Sequence, residues 1–266
     1  MCTIEMDGER GNLEIRAELP GWSAPDGRFL SPDGMPGEGR PNEEIDFSLE
    51  LTIGTRGDAA TSRFALRITT PEALLAAAPE ATNVLAARAT LVVSQLDWDG
   101  IRAHLKRVLV SCDSASIEAA TPLLQQYFRW EFDDFGRTGR RNEGHTPLEV
   151  RDVVGPDGCA FRSLYPWDGE QVDYLVQLMV GPRGEAYGAV FETRIVTPER
   201  LNLEQDDGEF RVLAHQGTLI VAHFDWRDVL PDIENIVSRC GAERFHESVW
   251  RLRRYFTLRE RYGDEP

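Results

Sequence analysis

Lysine is almost missing from this chain: Lys106 stands alone among 29 basic residues, and the rest are arginine. Long apolar runs are missing too. No stretch approaches the roughly 18 residues that a spanning helix requires, so no membrane partner is expected. Cysteine is sparse. The four, at positions 2, 112, 159 and 240, show no C-x-x-C spacing, which argues against a metal site. The segment MCTIEMDGER lacks the basic and apolar regions of a signal peptide, so the cysteines read as free thiols of a cytoplasmic protein. A surplus of positive charge is also absent. The 45 acidic residues outnumber the basic ones and leave a net charge of −16, which excludes a phosphate-neutralising surface and with it nucleic acid as a partner. Such acidity suits solubility, and it suits a basic protein partner drawn in by steering. What is present is enough apolar material for real cores, 41% of 266 residues, in a length that accommodates two domains of about 130 each.

The chain is written twice. Residues 46–74 align without gaps on 173–201, with 13 of 29 positions identical, among them Asp46, Gly54, Arg56, Gly57, Phe64, Arg67, Thr70 and Pro71. After one inserted residue, Val84-Leu85-Ala86, Thr90, Leu91, Val93, Asp97, Trp98 and Cys112 recur at 212–214, 218, 219, 221, 225, 226 and 240. Leu124, Tyr127 and Phe128 recur as Leu252, Tyr255 and Phe256, and LEIRAEL at 13–19 echoes LEVRDVV at 148–154. A repeat this long denotes whole domains rather than a solenoid. We therefore expect a first domain at 1–135, a polar, glycine-bearing linker at 136–147 (GRTGRRNEGHTP), and a second domain at 148–266.

Each copy reads as strands first and helices last. FSLELTI alternates apolar and polar residues as a half-buried strand does, whereas its counterpart YLVQLMV is apolar on both faces and is expected to be covered on both. GTRGD and GPRGE fit hairpin turns leading into a second strand. TTPEALL and VTPERLN read as short helical turns that Thr70 or Thr197 can cap, with proline at the first helical position. Asp97 and Asp225 stand where a strand ends and a helix starts, the place of an N-cap, with Trp98 and Trp226 as anchors at the helix base. Ile101, Leu105, Val108 and Leu109 then mark one helical face, as do Val229, Ile233, Ile236 and Val237. A second helix follows, and Pro122 is expected to start or kink it in the first copy. The fold class is α+β: two tandem homologous domains, each an antiparallel sheet with C-terminal helices packed on one face.

Catalytic constellations fare poorly. No histidine is shared: His104 matches Asp232, His215 matches Ala87, His223 matches Gln95 and His246 matches Glu118. A Ser/His/Asp or Cys/His arrangement common to both copies is thereby excluded. Cys112 and Cys240 do recur, each at the end of an amphipathic helix, where a small buried hydrophobe is the ordinary reading. The pair Asp97 and Asp99 invites acid/base chemistry, yet Arg227 replaces the second acid in the other copy. Arg67 and Arg194, opposite the apolar face of their strand, are expected to meet a cross-strand acid. No catalytic residue, metal or cofactor is expected.

Taken in order, these elements resemble the immunity protein 8 family, small bacterial proteins that neutralise polymorphic or contact-dependent toxins. The resemblance rests on Asp46-Phe47 and Asp173-Tyr174, the glycine turns, Thr70-Pro71-x-x-Leu74 and Thr197-Pro198-x-x-Leu201. It rests further on Asp97-Trp98 and Asp225-Trp226, the helices closing on Cys112 and Cys240, and YFRWEF at 127–132. It implies a non-catalytic, tight complex with a cognate toxin domain, and a basic nuclease would suit the acidity. Candidate contacts are Glu43, Glu44, Glu131, Asp133 and Asp134, with Trp130 as an aromatic anchor. The second copy ends YFTLRERY and lacks these residues, and the Pro/Gly-rich acidic stretch at 20–45 reads as a long loop. The alternatives are an adaptor binding some other protein and, behind it, a hydrolytic enzyme confined to one copy.

Overall fold

The computed structural model describes residues 11–21, 44–76, 83–133, 146–155, 171–203 and 210–263. In the first repeat the elements are β1 (Leu13–Gly21), β2 (Asp46–Thr55), β3 (Thr61–Thr69), α1 (Pro71–Ala76), β4 (Val84–Ala86), β5 (Thr90–Val93), α2 (Trp98–Ser111), α3 (Ile117–Leu124) and β6 (Arg129–Trp130). The second repeat follows the same order: β7 (Leu148–Val154), β8 (Asp173–Pro182), β9 (Gly188–Val196), α4 (Pro198–Asn202), β10 (Val212–Ala214), β11 (Thr218–Val221), α5 (Trp226–Arg239), α6 (Phe245–Leu252) and β12 (Thr257–Tyr262).

These elements form two compact units, and compactness does not divide the chain at 136–147 alone. The first unit gathers Met1–Ala76, Ala89–Thr138 and Glu204–His215; the second gathers Ala77–Arg88, Gly139–Leu203 and Gln216–Pro266. Each unit thus consists of most of one repeat and a short arm of the other. The first sheet runs β1-β2-β3-β5-β10, with β6 also beside β3, so its last strand comes from the second repeat. The second runs β4-β11-β9-β8-β7, with β12 beside β9, and its β4 comes from the first repeat. The junction is made the same way in both: Ser94 N–H donates to the Arg211 carbonyl (3.0 Å), and Ala222 N–H donates to the Asn83 carbonyl (2.7 Å).

The class is α+β as expected, but both sheets are mixed. β3 pairs with β5, and β9 with β11, in parallel, while their other pairings are antiparallel. A parallel neighbour needs a crossover rather than a hairpin, and the segment carrying α1 or α4 provides it.

Alternation builds the first core. Phe47, Leu49, Leu51 and Ile53 of β2 meet Phe64, Leu66 and Ile68 of β3 on one face. Ile101, Leu105, Val108 and Leu109 of α2 and Ile117, Ala120 and Leu124 of α3 pack into that same core. Burying each such side chain contributes roughly 1.5–3 kcal/mol. The second core repeats the plan with Val176, Leu178, Val180, Phe191 and Ile195 beneath Val229, Ile233, Val237, Phe245, Val249 and Leu252. The expected double coverage of YLVQLMV is not found. Leu175 is 46% exposed, because its strand faces the helices on one side only.

The shared residues earn their places locally. Gly57 (φ +81°) and Gly184 (φ +82°) take the left-handed conformation in the β2–β3 and β8–β9 turns, where a side chain would be strained. β1 and β7 are each bulged at an arginine, Arg16 and Arg151, whose Nη2 donates to the carbonyl of Thr55 or Pro182. Thr197 stands at the N-cap position of α4, followed by Pro198 as expected, but its hydroxyl bonds elsewhere. Thr70 Oγ1 accepts from Ile45 N–H (3.1 Å) while Thr70 N–H donates to the Ile45 carbonyl, and Thr197 and Val172 make the same reciprocal pair. The hydroxyl is spent clamping the chain ahead of β2 or β8, and Thr197 makes no side-chain cap bond. Pro122 neither starts α3, which begins five residues earlier at Ile117, nor ends it.

Asp97 and Asp225 are the N-caps of α2 and α5. Asp97 Oδ1 accepts from the N–H groups of Asp99 (3.0 Å) and Gly100 (3.1 Å); Asp225 accepts from Arg227 N–H and also holds its guanidinium. Trp98 then packs on Phe47 (5.6 Å between centroids) and Trp226 on Phe224 (6.3 Å). Asp97→Ala should lower the unfolding free energy by about 1 kcal/mol in urea denaturation; an unchanged midpoint would show that the cap contributes nothing.

Candidate functional site

Helices cover one face of the first sheet, so the side chains of β2 and β3 that alternate away from the core are left on the other. There Ser48 and Glu50 of β2, Arg63 and Ala65 of β3, Arg129 of β6 and Glu131 just beyond line a groove of about 410 Å³; Phe64 and Trp130 border it from the other face, where both pack into the first core. β6 is placed by its register, Phe64 opposite Trp130 and Ala65 opposite Arg129. The strand then stops because Asp133 folds the chain over. Its carboxylate accepts from Trp130 N–H (3.0 Å) and Gln125 Nε2 (2.7 Å), and its own N–H donates to the Trp130 carbonyl. Trp130 stands edge-on to Phe132 (5.1 Å between centroids), and Phe132 is 45% exposed. The indole Nε1 of Trp130 is buried and makes no hydrogen bond among the described residues.

Charge in the groove is arranged in pairs. Glu131 takes the Arg63 guanidinium at 2.9 Å and the Arg63 backbone N–H at 3.1 Å. Farther along the same face Arg67 grips Asp46 through two bonds (2.7 and 2.8 Å), and that carboxylate raises the arginine's pKa above its ordinary value. Arg194 and Asp173 repeat the grip at 2.8 Å, which lowers the Asp173 pKa. These two pairs occupy equivalent places in both units and tie neighbouring strands together. Glu131 has no such counterpart: Arg259 replaces it, and bonds Glu192 across the second sheet (2.9 Å) where the first has Ala65.

Of the candidate contacts read from the sequence, Glu131 lines the groove, Trp130 borders it from the core face and Asp133 shapes its rim. Glu44 is exposed ahead of β2 and is not among the lining residues, while Glu43 and Asp134 lie outside the described residues. Glu50, Arg63 and Arg129 were not singled out. The alternation that placed Phe47 and Leu49 on opposite faces of their neighbours marks Ser48 and Glu50 as outward, but only the β3–β6 register shows that Arg129 joins them while Trp130 turns to the core beside Phe64.

A second cluster escaped the sequence altogether. His104 of α2 and His215, which follows β10, meet at 3.0 Å, Nε2 to Nδ1, within the first unit. The Tyr127 ring lies 5.3 Å and the Phe128 ring 6.4 Å from the His215 ring. Burial first, and the neighbouring His104 second, push the His215 pKa down to about 3, partly offset by the Tyr127 backbone. His104 is also lowered, by burial and by Arg107. One proton bridges two neutral rings here, and neither is poised as a base near neutrality. Cys112 is buried and its thiol is pushed up to about 11, which keeps it protonated; Cys240 is likewise buried and forms no disulfide among the described residues. Among the described residues no group of three or more His, Cys, Asp or Glu side chains could hold a metal. Nor is any helix long and apolar enough to cross a membrane.

The molecule is therefore a duplicated α+β protein whose distinctive surface is a charged sheet face in one of its two units. A family model described as immunity protein 8 matches residues 38–135 and, separately, 149–259. The chain belongs to the immunity protein 8 family, carries two tandem copies of it, and has the family's role in immunity through toxin neutralisation. No curated protein and no solved structure matches it.

Proposed function

We propose that the chain binds and neutralises a cognate polymorphic or contact-dependent toxin in the cytoplasm of the cell that makes it. It does so by forming a stoichiometric protein–protein complex, without catalysis. The carrying observation is the match of the family model to both repeats. The charged groove of the first unit, with Glu50, Arg63, Arg129 and Glu131, supports it as the contact, and the exposed Phe132 against Trp130 lies near by. A net charge of −16 favours a basic toxin domain, such as a nuclease, through electrostatic steering.

The test is co-expression with the toxin domain encoded by the adjoining reading frame, followed by titration of the purified proteins. Growth should be rescued, the two should co-purify, and toxin activity should fall linearly to a break at one equivalent. No rescue and no complex would remove this pairing. Full inhibition at a small fraction of an equivalent would instead indicate turnover, and hence an enzyme.

A further inference from the structure

The two copies part company in the chemistry of their last helix. Where α3 has Pro122, α6 has Trp250, and the residues aligned with Leu123, Gln125 and Gln126 are Arg251, Arg253 and Arg254. The exchange goes with the way each chain continues. In the first unit Gln125 Nε2 donates to the Asp133 carboxylate (2.7 Å), and that acid turns the chain after the two residues of β6. In the second, β12 runs six residues along β9, and Arg261 stands at the position aligned with Asp133. The position of Gln125 is thereby released from shaping a turn. The arginine that fills it lies against the neighbouring indole, with its guanidinium carbon 4.5 Å from the centroid of the Trp250 ring.

Trp250 stands outside the stripe that the core uses. Phe245, Ser248, Val249 and Leu252 of α6 are buried, whereas Trp250 is 40% exposed. Arg253, one turn further on, restrains the indole, so part of its side-chain freedom is lost before any partner arrives. The surrounding charge also departs from the rest of the chain. Seven arginines meet three glutamates within 239–261, against one arginine and four acids in the aligned stretch 111–133 and a net −16 overall. Arg251 and Arg259 are engaged internally, with the Gly241 carbonyl and Glu192, while Arg239 and Arg244 are exposed.

The chemistry of an occupant follows from the stack. An apolar surface that covers Trp250 also covers the guanidinium lying on it, and a charge taken out of water must meet an anion there. The planar fork of arginine matches a carboxylate through two parallel bonds. A phosphate would fit the fork as well, but a chain of net charge −16 repels a polyanion. We infer that Trp250 and Arg253 form a docking surface for the toxin on the second unit, filled by an apolar pocket with an aspartate or glutamate at its edge. The toxin then presents an acidic patch to this unit even where its net charge is basic. The inference rests on the proposed function, namely that a toxin complex forms.

The test uses the full chain and the toxin domain that co-purifies with it. Trp250→Ala and Arg253→Glu should each weaken the complex by about tenfold or more. Arg56→Glu, the same charge reversal on the exposed β2–β3 turn, is the control and should leave the affinity unchanged. A loss of equal size in the control would make the effect one of net charge and overturn the site. Wild-type affinity in both Trp250→Ala and Arg253→Glu overturns it too, while the neutralising function stands; absence of any complex with the wild type removes that function first. Tight binding of a single-stranded RNA oligonucleotide, abolished by Arg253→Glu with toxin affinity untouched, would assign the surface to phosphate and overturn the inference. Hydroxyl-radical footprinting of the wild type decides the matter should a variant fail to fold. Trp250 should be oxidised in the free protein and shielded in the complex; equal oxidation in both overturns the inference.

Discussion

Separated within 136–147 into chains 1–135 and 148–266, the protein should yield two pieces, neither of which is a folded monomer. Mixed, they should form a 1:1 complex that melts like the intact chain. The reason is the makeup of the units. Fragment 1–135 retains β5 but loses β10, and with it Leu213, which is 5% exposed, and the His215 partner of His104. It also loses Phe210, whose ring lies directly on the backbone of Gly100; a Cβ there would stand 2.3 Å from it. Removing several side chains worth roughly 1.5–3 kcal/mol apiece approaches the ~5–15 kcal/mol that holds a typical domain together. The same fragment carries β4 without β11, leaving an unpaired arm. Two copies of one fragment can satisfy both defects by exchanging arms, so homodimers are the expected form of each piece alone. Light scattering after gel filtration, with thermal melts by circular dichroism, reads the outcome. Monomeric fragments with steep, independent melts would show that the arms contribute little.

The second large effect is on acid stability, and it comes from His215. Its folded pKa is pushed down to about 3, far under the ordinary value near 6.5. Between those limits the unfolded chain takes up a proton that the folded chain refuses. Stability is therefore fully present above about pH 6.5 and falls as pH drops through the window, by ~1.4 kcal/mol per pH unit from this one group. His104, lowered in the same direction, adds to the slope. Carboxylates such as Asp173, whose pKa is depressed by Arg194, weaken the fold only at more acidic pH. Urea denaturation at intervals from pH 7 to 4.5 should thus show a steady loss in the wild type. His215→Leu, which keeps an apolar side chain at that place, should flatten it markedly. Equal slopes for the two proteins would mean that the buried imidazole is not the source.

Much of this architecture was legible in the residues. Period-two alternation in FSLELTI put Phe47 and Leu49 in the core, and the helical stripes of α2 and α5 are buried where the spacing put them, except that Ile236 is only half-buried. The recurrence of Asp-Trp placed two N-caps, because a side-chain acceptor next to an amphipathic run has few other uses. The arms were illegible for a specific reason. Val-Leu-Ala stands at both 84–86 and 212–214, so local sequence carries no preference between a strand's own repeat and the other. The meeting of His104 with His215 follows from that exchange, and no spacing rule spans 111 residues between repeats. Leu175 misled in the opposite sense: an apolar residue on an outward face reads as buried until the layers are known. Of the groove, the divergent endings YFRWEFDDF and YFTLRERY marked the place where the units differ, but not that Arg129 and Glu131 would lie beside Arg63 and Glu50.

The order of the arms along the chain also sets a schedule for synthesis. A nascent chain makes β1, β2, β3 and β5 early, yet the strand that flanks β5 is not encoded until residues 212–214. The arm bearing β4 is likewise made early and has no partner until β11 arrives at 218–221. A single stretch of ten residues, 212–221, supplies the partner strands that both arms require, and β12 follows at 257–262. Pairings of such long sequence separation are slow to close, so the ribosome must deliver more than three quarters of the chain before either unit can finish folding. The last steps of translation then double as the last steps of assembly.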